Sequence, residues 1–180
     1  MCRLNGEIVS QISFETERDK EAENFIKDIC NKALDLMKSV NCNEKDLLGI
    51  GISIPGLVDN KGEISFPGNR IWDREVNVTE CFGEYFSCKI ILENNVKAFS
   101  EAEMIYSSGR EEDNILFVKW GPGVGSSLII HNNIYDNRRY GFSEMGHFLI
   151  GENMDITLES EVSTHTIVKS VRKIFSMENT

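Results

Sequence analysis

The chain reads as an α/β layer fold with mixed hairpins. Three observations predict it. Short β-branched runs alternate with longer segments whose apolar residues recur at three and four. Turns rich in glycine and asparagine separate these runs. The order is strand pair, helix, strand, rather than the strict βαβ alternation of a dinucleotide-binding sheet.

Leu4 to Phe14 suggests two strand pieces around Asn5-Gly6, a hairpin signal. A strand that begins so early, with its partner almost missing, implies that something upstream belongs to it. Phe25, Ile29, Ala33, Leu36, Met37 and Val40 predict an amphipathic helix from about Glu17 to Val40, with Thr16 or an earlier residue as its cap. Acidic residues crowd its first turns, as the helix dipole favours. Leu47-Leu-Gly-Ile-Gly-Ile-Ser-Ile is a buried strand, and Pro55-Gly56 ends it with a turn that needs a positive φ.

Glu63 to Trp72 is a short strand entering a loop. Pro67, Gly68 and Asn69 are turn formers, so turn chemistry alone accounts for Asn69. Val78 to Phe86 suits a short helix, and Lys89 to Leu92 a strand. Glu93, Asn94 and Asn95 follow, and a helical pattern then runs through Val96, Ala98, Phe99, Ala102 and Ile105. Polar groups at the carboxyl end of a strand, where a helix starts, are a common ligand position in an open α/β sheet. The plainer reading is that Asn94 or Asn95 caps the helix.

Asn114 to Trp120 is a further strand. Gly121-Pro-Gly-Val-Gly-Ser-Ser follows, then a strand at Leu128-Ile-Ile and a hairpin at Asn132-Asn133. Gly141 to Ile150 ends in a strand. Val162, Ile167, Val168, Val171, Ile174 and Phe175 mark a terminal helix.

Composition narrows the function classes. The 180 residues suit one domain or two small lobes, and 41% hydrophobic content supports a packed core. A net charge of −10 argues against this chain gripping nucleic acid or an anionic membrane directly. No apolar run approaches a membrane span, and no apolar core follows Arg3 as in a signal peptide. The five cysteines are odd in number and none pairs as Cys-x-x-Cys. They point to a reducing cytoplasm rather than to a disulfide scaffold or thiolate zinc site.

Four ordered pieces resemble the ROK family of bacterial sugar kinases and sugar-responsive repressors. They are Gly49-Ile-Gly-Ile-Ser-Ile-Pro-Gly-Leu-Val-Asp, Glu93-Asn-Asn with its helix, Gly121-Pro-Gly-Val-Gly, and Glu144-Met-Gly-His. The resemblance runs from about Leu4 to Thr164 and implies an actin-like, RNase H-like ATPase fold in part. Residues 1–98 would be a small α/β lobe without its first strand, and 99–180 the start of the large lobe.

The resemblance implies a sugar site at Gly56, Asn69, Asn94, Asn95, Glu144, His147 and Glu159. Amides and carboxylates suit a polyol, whose hydroxyls both donate and accept. Family kinases carry Glu-Asn-Asp where this chain has Glu93-Asn94-Asn95, and that Asp is their general base. An amide has no carboxylate to receive the proton, a loss of about 10²- to 10⁴-fold in rate. No catalytic residue is therefore assigned.

Gly121, Gly123 and Gly125 resemble the family's second phosphate loop, although Pro122 removes one backbone donor. The alternative is a glycine hairpin between two strands. The first loop, Asp-x-Gly-x-Thr, would lie upstream of the opening strand, and the adenosine-holding part beyond Thr180. His147 matches a zinc-binding histidine of relatives, but the partner cysteines are absent between Phe148 and Thr157, so no metal is expected. ATP and magnesium are expected only if the chain is a kinase.

These implications support the sugar-binding part of a ROK-type regulator, catalytically inactive, assembling as a homo-oligomer. An ATP-dependent sugar kinase and a vestigial fragment that binds nothing are the alternatives.

Overall fold

The fold is seen in a computed structural model that describes residues 1–17, 20–58, 63–66, 74–106, 112–135 and 144–178. The chain divides into two compact units, Met1–Asn94 and Asn95–Thr180.

The first unit begins with α1, Ala22–Ser39, followed by β1, Gly49–Ile54. A short antiparallel set follows: β2 (Leu57–Val58), β3 (Glu63–Phe66) and β4 (Val76–Asn77). Then come α2, Val78–Gly83, and β5, Lys89–Asn94. β1 and β5 pair in parallel, with Ile50 opposite Ile90 and Ile52 opposite Leu92. A parallel pair needs a long crossover, and β2 to α2 supply it.

The apolar stripe of α1 faces the core. Ala22, Ile26, Cys30 and Met37 are buried with Val78, Phe82, Phe86, Ile54 and Leu92. Ile26 is 2% exposed, and burying such a side chain stabilises by roughly 1.5–3 kcal/mol. α1 closes where Asn41 takes a left-handed φ of 55°. The N–H groups of Asn41 and Cys42 then satisfy the Lys38 and Met37 carbonyls at 3.1 and 2.9 Å. Asn77 caps α2, its side chain accepting the Glu80 N–H at 3.0 Å.

Two expectations fail here. Leu4–Phe14 does not form a strand pair: only an isolated bridge joins Cys2 to Ile8. Exposed Leu4, Ile8 and Ile12 bury too little apolar surface to hold a ladder. The first helix starts at Ala22 rather than Glu17, and its flanking residue Glu21 makes no side-chain cap. Without a Ser, Thr, Asp or Asn at that position, burial of Ala22 and Ile26 sets the start.

The second unit starts with α3, Asn95–Tyr106. β6 (Ile115–Trp120), β7 (Val124–Ile130) and β8 (Asn133–Ile134) form an antiparallel sheet. α3 lies on β7, where Val96, Ser100, Val124, Ser126, Ser127 and Ile129 are buried. The approach is close: a Cβ on Gly125 would stand 2.6 Å from Val96 Cγ2. Ser100 Oγ and Ser127 Oγ are hydrogen-bonded at 2.9 Å, which gives each buried hydroxyl a partner across that contact.

β7 starts at Val124, not at Leu128, so the glycine turn feeds straight into the strand. The second hairpin turns on His131 and Asn132, with φ of 50° and 59°, as a two-residue turn with positive φ at both positions requires. Met145–His147 is a 3₁₀ turn. It leads to β9, Leu149–Ile150, which pairs with β10, Ile156–Thr157. α4 (Leu158–Val162) and α5 (Thr164–Glu178) complete the unit. The terminal helix thus starts two residues later than Val162 would suggest. Ser163 interrupts it in an extended conformation.

Candidate functional site

The first group of candidate residues lies at the carboxyl ends of the parallel strands. Ile54 of β1 stands opposite Asn94 of β5. Beyond Ile54 the chain turns through Gly56, whose φ of 105° is open to glycine and strained for other residues. The Asn94 side-chain amide donates to the Gly56 carbonyl at 2.8 Å. The Glu93 carboxylate accepts the Asn94 N–H at 2.9 Å. The strand end is thereby tied to the Pro55-Gly56 turn. Asn95 is half-buried and is the first residue of α3. Asn69 lies outside the described residues.

The second group gathers around the glycine turn. Gly121 donates its N–H to the Gly123 carbonyl at 3.0 Å. Pro122 has no N–H. Val124 donates to Glu159 Oε2 at 2.8 Å. Gly125 is already in the β6–β7 ladder, opposite Lys119.

Glu144 precedes the 3₁₀ turn, and His147 Nε2 lies 3.9 Å from its Oε2. His147 is the more open of the two, with 71% of its side chain exposed against 31% for Glu144. Burial pushes the Glu144 carboxyl above its ordinary range; His147 opposes that rise and Glu159 adds to it. Glu159 stands in the first turn of α4, which Thr157 caps by accepting the Ser160 N–H at 3.3 Å. Among the described residues no group of three or more His, Cys, Asp or Glu side chains converges to hold a metal ion.

The structure thus brings Gly56 and Asn94 together, and separately Glu144, His147 and Glu159 with the glycine turn. Sequence reasoning passed over Gly146. A Cβ there would stand 2.1 Å from the Val124 carbonyl oxygen and 3.2 Å from Glu159 Oε2. Glycine lets the Glu144–His147 turn rest on the backbone of β7. The signal was the glycine of Glu-Met-Gly-His. Val124 was missed as well, because a backbone donor leaves no mark on residue type.

The fold is the actin-like ATPase architecture in part, as its solved neighbours show. A ROK family glucokinase from Streptomyces griseus, in complex with glucose and AMPPNP, superposes with a TM-score of 0.76 at 21% identity. The match covers 93% of this chain and 54% of that one. The ROK family profile matches residues 1–162, and the chain belongs to the ROK family.

Curated relatives include both kinds of ROK protein. The xylose repressor of Bacillus subtilis is 35% identical over 108 residues, 59% of this chain and 28% of the repressor. The glucokinase of Thermotoga maritima is 26% identical over 150 residues, 83% of this chain and 46% of the enzyme. The chain spans less than half the length of these relatives.

Proposed function

We propose that this chain is the sugar-binding part of a ROK-type regulator and does not phosphorylate its ligand. Asn95 carries the reading. It occupies the position at which the family resemblance places the proton-accepting Asp, and its amide cannot take that proton. The remaining polar set is suited to holding hydroxyls. Gly56, Asn94 and Asn95, and separately Glu144, His147 and Glu159, are the proposed sugar contacts, with Asn69 as a further one. Residues 1–98 would belong to the small lobe and 99–180 to the large one.

The xylose repressor relative makes a pentose the first sugar to test. Acidity supports a division of labour in which other polypeptide contacts DNA and this part responds to sugar. A homo-oligomer is proposed with it, in the cytoplasm. The second reading is a sugar kinase using ATP and magnesium, favoured by the glucokinase relative's coverage of most of the chain.

Thermal unfolding of the 180-residue chain against xylose, hexoses, N-acetylhexosamines and their phosphates tests the proposal. A ligand at one hundred times its dissociation constant adds about 2.7 kcal/mol, or roughly 5–10 °C for a domain of this size. The expected result is a shift with one neutral sugar that disappears in Glu144→Ala. A sharp transition that no sugar moves would sink the proposal. Sugar-dependent ATP turnover would replace it with the kinase.

A further inference from the structure

We propose that Glu159 is a built-in anion for the glycine turn: its carboxylate seats the turn against the Glu144–His147 segment and keeps phosphate out of it. The inference deepens the sugar-site reading and rests on it, for it makes this half of the site selective for neutral ligands.

The geometry is specific. Glycine turns take phosphate because their backbone N–H groups converge on one anion. Here the converging donor of Val124 already holds Glu159 Oε2 at 2.8 Å. The same oxygen stands 3.1 Å from where a Gly123 Cβ would be and 3.2 Å from where a Gly146 Cβ would be. Both are glycine, so the carboxylate lies in a slot between the turn and the Glu-Met-Gly-His segment. The Gly121 N–H is already given to the Gly123 carbonyl and Pro122 has none, so neither residue offers a donor to a phosphate.

The backbone around α4 fastens the same turn from outside. Thr164 donates its N–H to the Gly121 carbonyl at 2.9 Å. Trp120 Nε1 donates to the Val162 carbonyl at 2.6 Å. The Ser163 N–H returns to the Glu159 carbonyl at 3.0 Å, which closes α4. Bonds from one short helix and the residues after it therefore reach the Trp120–Gly121 end of the turn and the Val124 donor at the other. A phosphate entering there would meet a carboxylate at hydrogen-bond distance from the donor it needs.

Glu159 acts here as a positioning residue through Val124. The test is amide hydrogen exchange and a titration with inorganic phosphate, both followed by NMR on the 180-residue chain. In the wild type the Val124 amide is expected to be protected, and millimolar phosphate leaves the amides of 121–125 unmoved. Glu159→Ala should accelerate Val124 exchange about ten- to a hundredfold, while Ile129 in the same strand stays protected. In that variant phosphate should then shift the turn amides. Glu159→Gln keeps an oxygen acceptor and should restore Val124 protection.

Phosphate shifting the turn amides of the wild type would overturn the proposal, whether or not Glu159→Ala folds. Unchanged Val124 exchange in a folded Glu159→Ala would overturn it too, as would loss of Val124 protection in Glu159→Gln. If no sugar binds the wild type, the sugar reading fails. The exchange and phosphate arms still decide the role of Glu159.

Discussion

Glu144 and His147 sit one turn apart, with Oε2 and Nε2 separated by 3.9 Å, and the more enclosed member is the carboxyl. Burial dominates over the imidazole and raises the Glu144 pKa. That balance gives the first prediction a definite sign.

A carboxyl whose pKa is raised on folding supports stability below its unfolded value, and that support is lost as pH rises through the folded value. Ionised Glu144 therefore costs stability at neutral pH. Glu144→Gln is expected to melt higher than the wild type at pH 7. The gap should close as pH falls to the ordinary carboxylate range near 4.5. Melting curves at several pH values check it. A gap that does not change with pH would show that the charge is fully compensated.

Gly146→Ala should destabilise the chain by about 1–3 kcal/mol or more, because the new methyl meets a backbone carbonyl that cannot swing away. Gly51→Ala is the control, since a Cβ there meets nothing within 4 Å. Its effect should stay within about 1 kcal/mol of zero. Urea titration of both variants makes the comparison. Equal losses would refute the close packing at Gly146.

Asn94→Ala removes the donor to the Gly56 carbonyl and should cost about 0.5–1.5 kcal/mol. If Asn94 also holds sugar, the affinity for the sugar that stabilises the wild type falls as well. Isothermal titration calorimetry beside denaturant curves separates the two effects. A loss of stability with unchanged sugar affinity would leave Asn94 a structural residue only.

Asn95→Asp supplies the carboxylate that the family resemblance expects at this position. We expect no sugar-dependent ATP hydrolysis from it in this chain, since the Val124 donor of the glycine turn is already held by Glu159. A coupled assay for ADP release settles the matter. Turnover above the wild-type background would mean that the turn still accepts a phosphate.

The cysteines should separate by burial. Burial raises the Cys30 thiol to about 11, with smaller contributions from Cys81 and Glu84. Cys2 is exposed. A thiol reagent at pH 8 should label Cys2 rapidly and Cys30 only after unfolding, as peptide mass spectrometry would show. Early labelling of Cys30 in the native chain would contradict the packing of α1.

Apolar runs and periodicity located α1, β1, β5, α3 and β6, although α1 starts later and β7 starts earlier than the pattern implied. Gly56 announced its positive φ through the Pro-Gly pair. The candidate residues came from ordered motifs; of those described, Gly56 and Asn94 lie at a turn and a strand end, and Glu144 and His147 at a 3₁₀ turn. The failed expectation at Leu4–Phe14 has the opposite cause. Alternation there is real, but nothing in a local pattern tells whether its apolar residues will find a surface to cover.

The sequence by itself determined that this is an α/β chain of the ROK family. Residue type and order suffice for that, since periodicity, turn chemistry and motif order are local properties. Only the tertiary structure decided what Glu159 touches. Its partner is a backbone N–H thirty-five positions away, on Val124, and its carboxylate lies 3.1 and 3.2 Å from where Cβ atoms of Gly123 and Gly146 would stand. Contacts of that kind arise from close packing between segments distant in the chain, and no one-dimensional pattern records them.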